Sequence, residues 1–230
     1  MTDEDIFREV EEDLRREQLK LYWDKFGVYF LSVAAFIIIA VAGYKGYGAW
    51  SAQRAIDAGG EYESARSLSI QEKKDAAALA FENLVKNGPS GYKILASLQL
   101  AAAKAAKGDS KEAVKLYDKL AADSKLDPIL RGFAKVQAAL LRVDEADHSE
   151  MKKRLSSLNI TGNYWRHSAR ELLGLSARKA TRYKEALGYF DTIIKDSTAP
   201  SDLKNRATMM ISLIKAAQKK AESGTNLEDK

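Results

Sequence analysis

The sequence predicts an all-α protein with a single apolar helix near the N-terminus followed by a body of stacked helical hairpins. Three observations carry this. Phe26–Tyr44 is a run of nineteen residues without a charge, closed by Lys25 and Lys45. Outside that run alanine and lysine are abundant and β-branched runs are scarce, a composition that favours helix over strand. Finally, apolar residues recur at helical spacing between short breakers, and the pattern repeats after 36 residues.

The first 25 residues read as a helix. Thr2 and Asp5 are spaced as a capping box, with aspartate in the less usual role. Glu4–Arg8, Glu11–Arg15 and Glu12–Arg16 stand at i,i+4, where opposite charges stabilise a helix by a few tenths of a kcal/mol each. Ile6, Val10 and Leu14 form a thin stripe. Two readings stay open: a docking helix for a cytoplasmic partner, or a solvated extension of the apolar run.

A nineteen-residue helix is roughly 28 Å long, close to the ~30 Å hydrocarbon thickness of a bilayer. Five Lys/Arg lie on its N-terminal flank (Arg8, Arg15, Arg16, Lys20, Lys25) and two on its C-terminal flank (Lys45, Arg54). The bias of basic residues toward the cytoplasm places the N-terminus inside and the body outside. Tyr22 and Trp23 on one side, and Tyr44, Tyr47 and Trp50 on the other, stand where an aromatic belt would. The acidic leader and the length of the apolar core favour an uncleaved anchor over a signal peptide, despite the Ala40-Val41-Ala42 sequence. The expected organisation is a cytoplasmic acidic helix (1–25), a transmembrane helix (26–44), a juxtamembrane helix and linker (45–60), a helical repeat domain (61–222) and a flexible tail (223–230).

The body begins, on this reading, where Gly59-Gly60 breaks the helix leaving the membrane. Ser69 and Glu72 suggest a capping box that opens the next helix, and Asn87-Gly88-Pro89-Ser90 closes it. Gly108-Asp109 ends one helix and caps another, Asp127-Pro128 is an N-cap followed by proline at the first helical position, and Pro200-Ser201 opens the last helix. Ala77, Phe81 and Leu84 match Ala113, Tyr117 and Leu120, and match again Ala186, Phe190 and Ile193. A weaker copy is Met151, Leu155 and Leu158. Leu100-Ala101 and Leu173-Gly174 precede their alanines by twelve or thirteen positions, Tyr183 stands three before Ala186, and Pro89 twelve after Ala77. This pattern resembles the tetratricopeptide repeat, clearest in residues 169–195, with Arg170 and Ala177 where the repeat has tryptophan and tyrosine. A single hairpin cannot bury its apolar face, so several must stack. The final helix reads as a cap on the stack or as a membrane-surface helix.

Composition also excludes chemistry. There is no cysteine, so no disulfide, thiolate metal site or cysteine nucleophile. His148 and His167 are the only histidines and form no ligand motif. No phosphate-binding glycine loop or nucleophile elbow occurs, and basic residues do not alternate with aromatics as in a nucleic-acid groove. The expectation is therefore a non-enzyme with no catalytic, metal or cofactor site, no nucleic acid and no small-molecule substrate. Net charge is −3 over residues 1–45 and +8 over residues 46–230. The basic body suits acidic partners or an anionic surface, or is simply a solvated helical exterior.

The single span, the cytosolic head and the degenerate repeat body together resemble the YfgM family of bacterial inner-membrane proteins, with GYKILASLQLAAAKAAKGDSKEAVKLYDKL (91–120) as the closest local match. The head with DLRREQLK is similar to the alphaproteobacterial branch. The resemblance implies a periplasmic protein-binding scaffold ancillary to the Sec translocon. Its partners would be translocon subunits and a membrane-anchored periplasmic chaperone acting on emerging chains. Alternatives are an envelope scaffold for cell-wall or division proteins, and a regulator acting through its cytoplasmic head. Candidate protein-binding residues are first-helix positions that the packing pattern leaves unused: Lys93, Gln99, Lys104, Lys135, Arg166 and Arg170.

Overall fold

In the computed structural model the backbone is described for residues 3–228, and side chains for Arg16 and residues 20–219. Thr2, the head's ion pairs and apolar stripe, and the side chains of residues 223–230 lie outside the described residues. Among the described residues the secondary structure is helical throughout, without a strand. The elements are α1 (Asp3–Ile70), α2 (Lys74–Asn87), α3 (Ser90–Ala106), α4 (Ser110–Ala122), α5 (Pro128–Arg142), α6 (His148–Leu155), α7 (Arg166–Lys179), α8 (Tyr183–Lys195) and α9 (Ser201–Glu228). They form two units, residues 1–57 and 58–230.

The first unit is helix alone. It contains the one described helix that is long and apolar enough to cross a membrane. Apolar side chains point out on every side of it: Val28, Phe36 and Ile39 are all more than 70% exposed. A helix that is apolar all round cannot be satisfied by water on any face. Tyr22, Trp23, Tyr44, Tyr47 and Trp50 stand exposed on either side of its apolar run. The rings of Tyr47 and Trp50 lie 5.8 Å apart, and the Arg54 guanidinium sits 4.9 Å from the Trp50 ring, a cation–π contact.

The second unit begins with the last turns of α1. Gly59-Gly60 does not break the helix, contrary to the sequence expectation. Two glycines cost a helix about 1 kcal/mol each, but burial of Ala58 and Ala65 against α2 and α3, with Tyr62 and Leu68 beside them, outweighs that. At Gly59 the chain passes close to α3: a Cβ would lie 2.8 Å from the Tyr92 hydroxyl, which would have to move aside. Nor does Ser69–Glu72 open a helix. The Ser69 hydroxyl donates back to Ala65 O within α1, and α2 starts at Lys74 without a side-chain cap.

These residues instead end the first helix of a repeat. Glu72, Gly108 and Thr181 all have positive φ (60°, 85° and 57°). In each case the next residue donates to the carbonyl five back: Lys73 to Leu68, Asp109 to Lys104, Arg182 to Ala177. The positive-φ residue itself donates three back, to Ser69, Ala105 and Arg178. This is the Schellman closure, built three times at the spacing of Ala77, Ala113 and Ala186. The tail of α1 is thus the first helix of the first hairpin, and α2 its second. The other caps follow the sequence: Asp109 accepts from Glu112 N, and Asp127 from Ile129 N ahead of Pro128.

The core is a chain of small clusters, as a solenoid requires. One joins the tail of α1 to α2 and α3, a second α3, α4 and α5, a third α5, α6 and α7, and a fourth α7, α8 and α9. Leu116 packs on the first and second, and Leu175 on the third and fourth. Of the twelve repeat-pattern residues, all but Leu120 are buried. Residues one repeat apart are also stitched by polar contacts. Arg154 reaches Asp118, Trp165 Nε1 donates to Ile129 O at 2.8 Å, and Arg206 pairs with Glu171 at 2.6 Å. The Lys179 ammonium donates to Val143 O, Asp144 O and Ala146 O at 3.1, 2.8 and 2.7 Å, capping the end of α5 from α7. The last helix packs Leu203, Ala207 and Ile214 onto this stack as its cap, and it runs to Glu228.

Two substitutions of opposite sign test this account. A Cβ at Gly174 would lie 2.7 Å from the Phe190 ring, so Gly174→Ala should cost about 1–3 kcal/mol by overpacking. Thr181→Gly should stabilise by up to about 1 kcal/mol, since a β-branched residue is strained at positive φ. Urea unfolding of the full chain in detergent, followed by helix circular dichroism, reads both. Equal effects of one sign would overturn the assignment of close contact and turn.

Candidate functional site

The repeat pattern is weakest at the third hairpin, and one of the clefts of the body lies beside it. The third hairpin, α5 and α6, carries Met151 where the others carry alanine. A larger residue at the crossing keeps the helices from approaching closely, and α6 has only eight residues where α2–α5, α7 and α8 have thirteen to seventeen. Between the second and third clusters no described apolar side chain is shared; a Phe133–Trp165 ring contact at 5.7 Å and polar groups bridge them. The cleft between α4, α5 and α6 measures about 730 Å³ and is lined by Asp118, Ala121, Ala122, Lys135, Glu150, Lys153, Arg154, Ser156 and Ser157.

Its acidic side is neutralised internally. Arg154 Nη1 donates to both Asp118 oxygens at 2.9 and 3.1 Å, and its Nε donates to Glu150 Oε1 at 2.9 Å. Arg142 holds the other Glu150 oxygen at 3.0 Å. Hydrogen bonds from Arg142 and then Arg154 hold the Glu150 carboxyl down at about 2. Its basic side is not neutralised. Lys135 Nζ donates to the Ser157 hydroxyl at 2.8 Å. Among the described residues no carboxylate stands within ion-pair distance of Lys135 or Lys153.

Two other polar centres are structural in their geometry. Ser176, His148 and Glu185 stand in line, with Ser176 Oγ 3.1 Å from His148 Nδ1 and Glu185 Oε1 3.1 Å from His148 Nε2. The order matches a hydrolytic triad, but Ser176 is completely buried, so no substrate reaches its oxygen. The Nε2–carboxylate approach is off the hydrogen-bonding direction. The His148 ring and Lys152 hold the Glu185 carboxyl at about 2, and the set fastens α6 to α7 and α8. Around Asp196, Arg166 Nε (3.3 Å), Arg170 Nη1 (3.5 Å) and His167 Nε2 (3.6 Å) converge. The Thr198 hydroxyl and amide, with Arg166, hold that carboxyl well below its usual range. Burial, and then the charge of Arg166, pushes His167 down.

The six positions singled out by sequence therefore separate. Arg166 and Arg170 sit together on Asp196, with Arg170 also on Asn159 Oδ1 at 3.1 Å. Lys104 is half-buried and 3.5 Å from Glu82. Lys93 and Gln99 are exposed on α3. Lys135 lines the cleft. The cleft's other groups lie on second helices and the following turn, where the repeat pattern reads as packing and gives no sign of an exposed site.

The ion-pair network gives a pH test. Glu150 titrates at about 2 in the fold against an ordinary 4.5. Its stabilisation is complete above about pH 4.5 and is lost as pH falls through 2. Glu150→Gln should cost about 1–2 kcal/mol at pH 7, discounted for partial exposure. The gap from the parent chain should narrow steadily below pH 4.5. A gap that stays constant in acid, measured by urea unfolding, would overturn this role.

The tetratricopeptide repeat-like domain family matches residues 20–187. The match takes in the apolar part of α1, then α2–α7 and the start of α8. No curated protein matches the chain. The match covers well over half of the sequence and coincides with the three repeated turns and the stitched hairpins, so the chain belongs to the tetratricopeptide repeat-like domain family.

Proposed function

We propose that this protein is a membrane-anchored scaffold that binds other proteins through its helical repeat body. The observation that carries the reading is the presence of one apolar helix, exposed on all sides, in a chain whose helical repeat body carries a solvent-facing cleft. Solenoids present extended surfaces that bind protein segments. Basic residues crowd the N-terminal flank of the apolar run, which supports a cytoplasmic N-terminus and a periplasmic body in a bacterial inner membrane. Together with the likeness to the YfgM family, this supports an ancillary role at the Sec translocon, with a membrane-anchored periplasmic chaperone as the second partner. Lys93, Gln99 and Lys135 are the positions proposed to meet partners. Lys104, Arg166 and Arg170 contribute by holding the surface in shape.

The acidic segment before the span favours a second reading, in which the cytoplasmic head binds a regulator of its own. Deleting residues 2–20 separates the two: a scaffold role carried by span and body survives it, and a head-driven role does not. The direct test is photocrosslinking in native membranes, with the crosslinker placed in turn through residues 26–58 and at Lys93, Gln99 and Lys135. Adducts with translocon subunits or a periplasmic chaperone are expected. Their absence from every position would overturn the assignment to secretion, and absence of any protein adduct would overturn the scaffold reading itself.

A further inference from the structure

We propose that the cleft between α4, α5 and α6 receives acidic side chains of a peptide segment from a protein partner, held by Lys135, Lys153 and the Ser157 hydroxyl. The inference rests on the protein-binding reading above and deepens it.

The argument is one of unpaired charge. The cleft contains three cationic side chains and two carboxylates. Arg154 is spent on those carboxylates, with three hydrogen bonds to Asp118 and Glu150, and Glu150 is claimed again by Arg142. That leaves the Lys135 and Lys153 ammonium groups without a carboxylate among the described residues. Lys135 donates to the Ser157 hydroxyl, and an ammonium has further protons to offer. The Ser157 hydroxyl keeps its own proton to donate. This donor set fits a carboxylate, which accepts at both oxygens. Ala121 and Ala122 give the wall a small apolar part on which the methylenes of a glutamate can rest. A volume of about 730 Å³ accommodates side chains of a short extended segment. The arginine that would favour a bidentate phosphate is already occupied. The net charge of +8 over residues 46–230 also draws acidic segments toward this unit.

The test is fluorescence anisotropy with labelled hexaglutamate, using the full chain in detergent micelles at pH 7.5. Hexaglutamate should bind and hexalysine should not, and binding should weaken with added salt because the contacts are partly exposed. The double variant Lys135→Gln/Lys153→Gln should lose about tenfold in affinity, the scale of two solvent-exposed ion pairs. Ser157→Ala should lose about two- to threefold. The charge-matched control Lys111→Gln/Lys215→Gln, at exposed positions outside the cleft, should stay within twofold of the parent chain. Circular dichroism confirms that each variant is folded. The proposal is overturned if the parent chain does not bind hexaglutamate, or if the cleft and control variants bind alike. It is also overturned if free glutamate at equal carboxylate concentration displaces the peptide, which points to a small-molecule site. Displacement by anionic phospholipid vesicles but not by unlabelled hexaglutamate points to a lipid headgroup and overturns it too. The scaffold reading stands or falls separately, on whether body-positioned crosslinkers trap a protein.

Discussion

Close approach of paired helices is the constraint on which the body depends. Ala77, Ala113 and Ala186 are almost fully buried at the crossings of α2, α4 and α8, and Ala101 and Gly174 on the first helices are equally small. Small residues at these points let backbones come near enough for Phe81, Tyr117 and Phe190 to fill the spaces between neighbouring helices. Met151 departs from the rule at the third hairpin, where α6 has only eight residues.

Polar contacts repair what packing leaves open there. A deeply buried ion pair often returns no more than the desolvation it costs. Arg154 and Glu150 escape the worst of that penalty because both remain about 30% exposed while each makes several hydrogen bonds, one of them to the other. Lys179 shows the other solution, a single ammonium whose three donors meet three backbone carbonyls at the end of α5. In each, one contact spans a full repeat: Arg154 to Asp118 and Lys179 to Val143 are both 36 residues apart. The period read from buried alanines therefore also sets the spacing of the charges that tie hairpin to hairpin.

Much of this was legible in the sequence. The all-helical class, the apolar run, the caps at Asp109 and Asp127 and the repeat triplets follow from local chemistry that one residue type nearly determines. Gly59-Gly60 misled because tertiary burial of Ala58 and Ala65 overrides a propensity cost. Glu72 misled because the Schellman turn usually announces itself with glycine, as at Gly108, and the copies at Glu72 and Thr181 do without it. Charge on a helix face was the weakest guide. Arg166 and Arg170 look like free surface in one dimension, yet Asp196, 26 to 30 residues away, turns them into a clamp. Only chain folding brings such partners together, so spacing alone could not separate a structural arginine from an available lysine.

The chemistry of the cleft also bears on how a tethered scaffold would work. An apolar groove of the same size would hold any exposed hydrophobic segment and would compete with that segment's own folding. Two lysines and a hydroxyl discriminate by charge instead. They reject basic segments outright through like-charge repulsion, and they raise the encounter rate with acidic ones more than the lifetime of the complex. Binding of that kind is quick, reversible and sensitive to ionic strength. It suits the proposed membrane-anchored scaffold, since tethering supplies the local concentration that weak contacts lack.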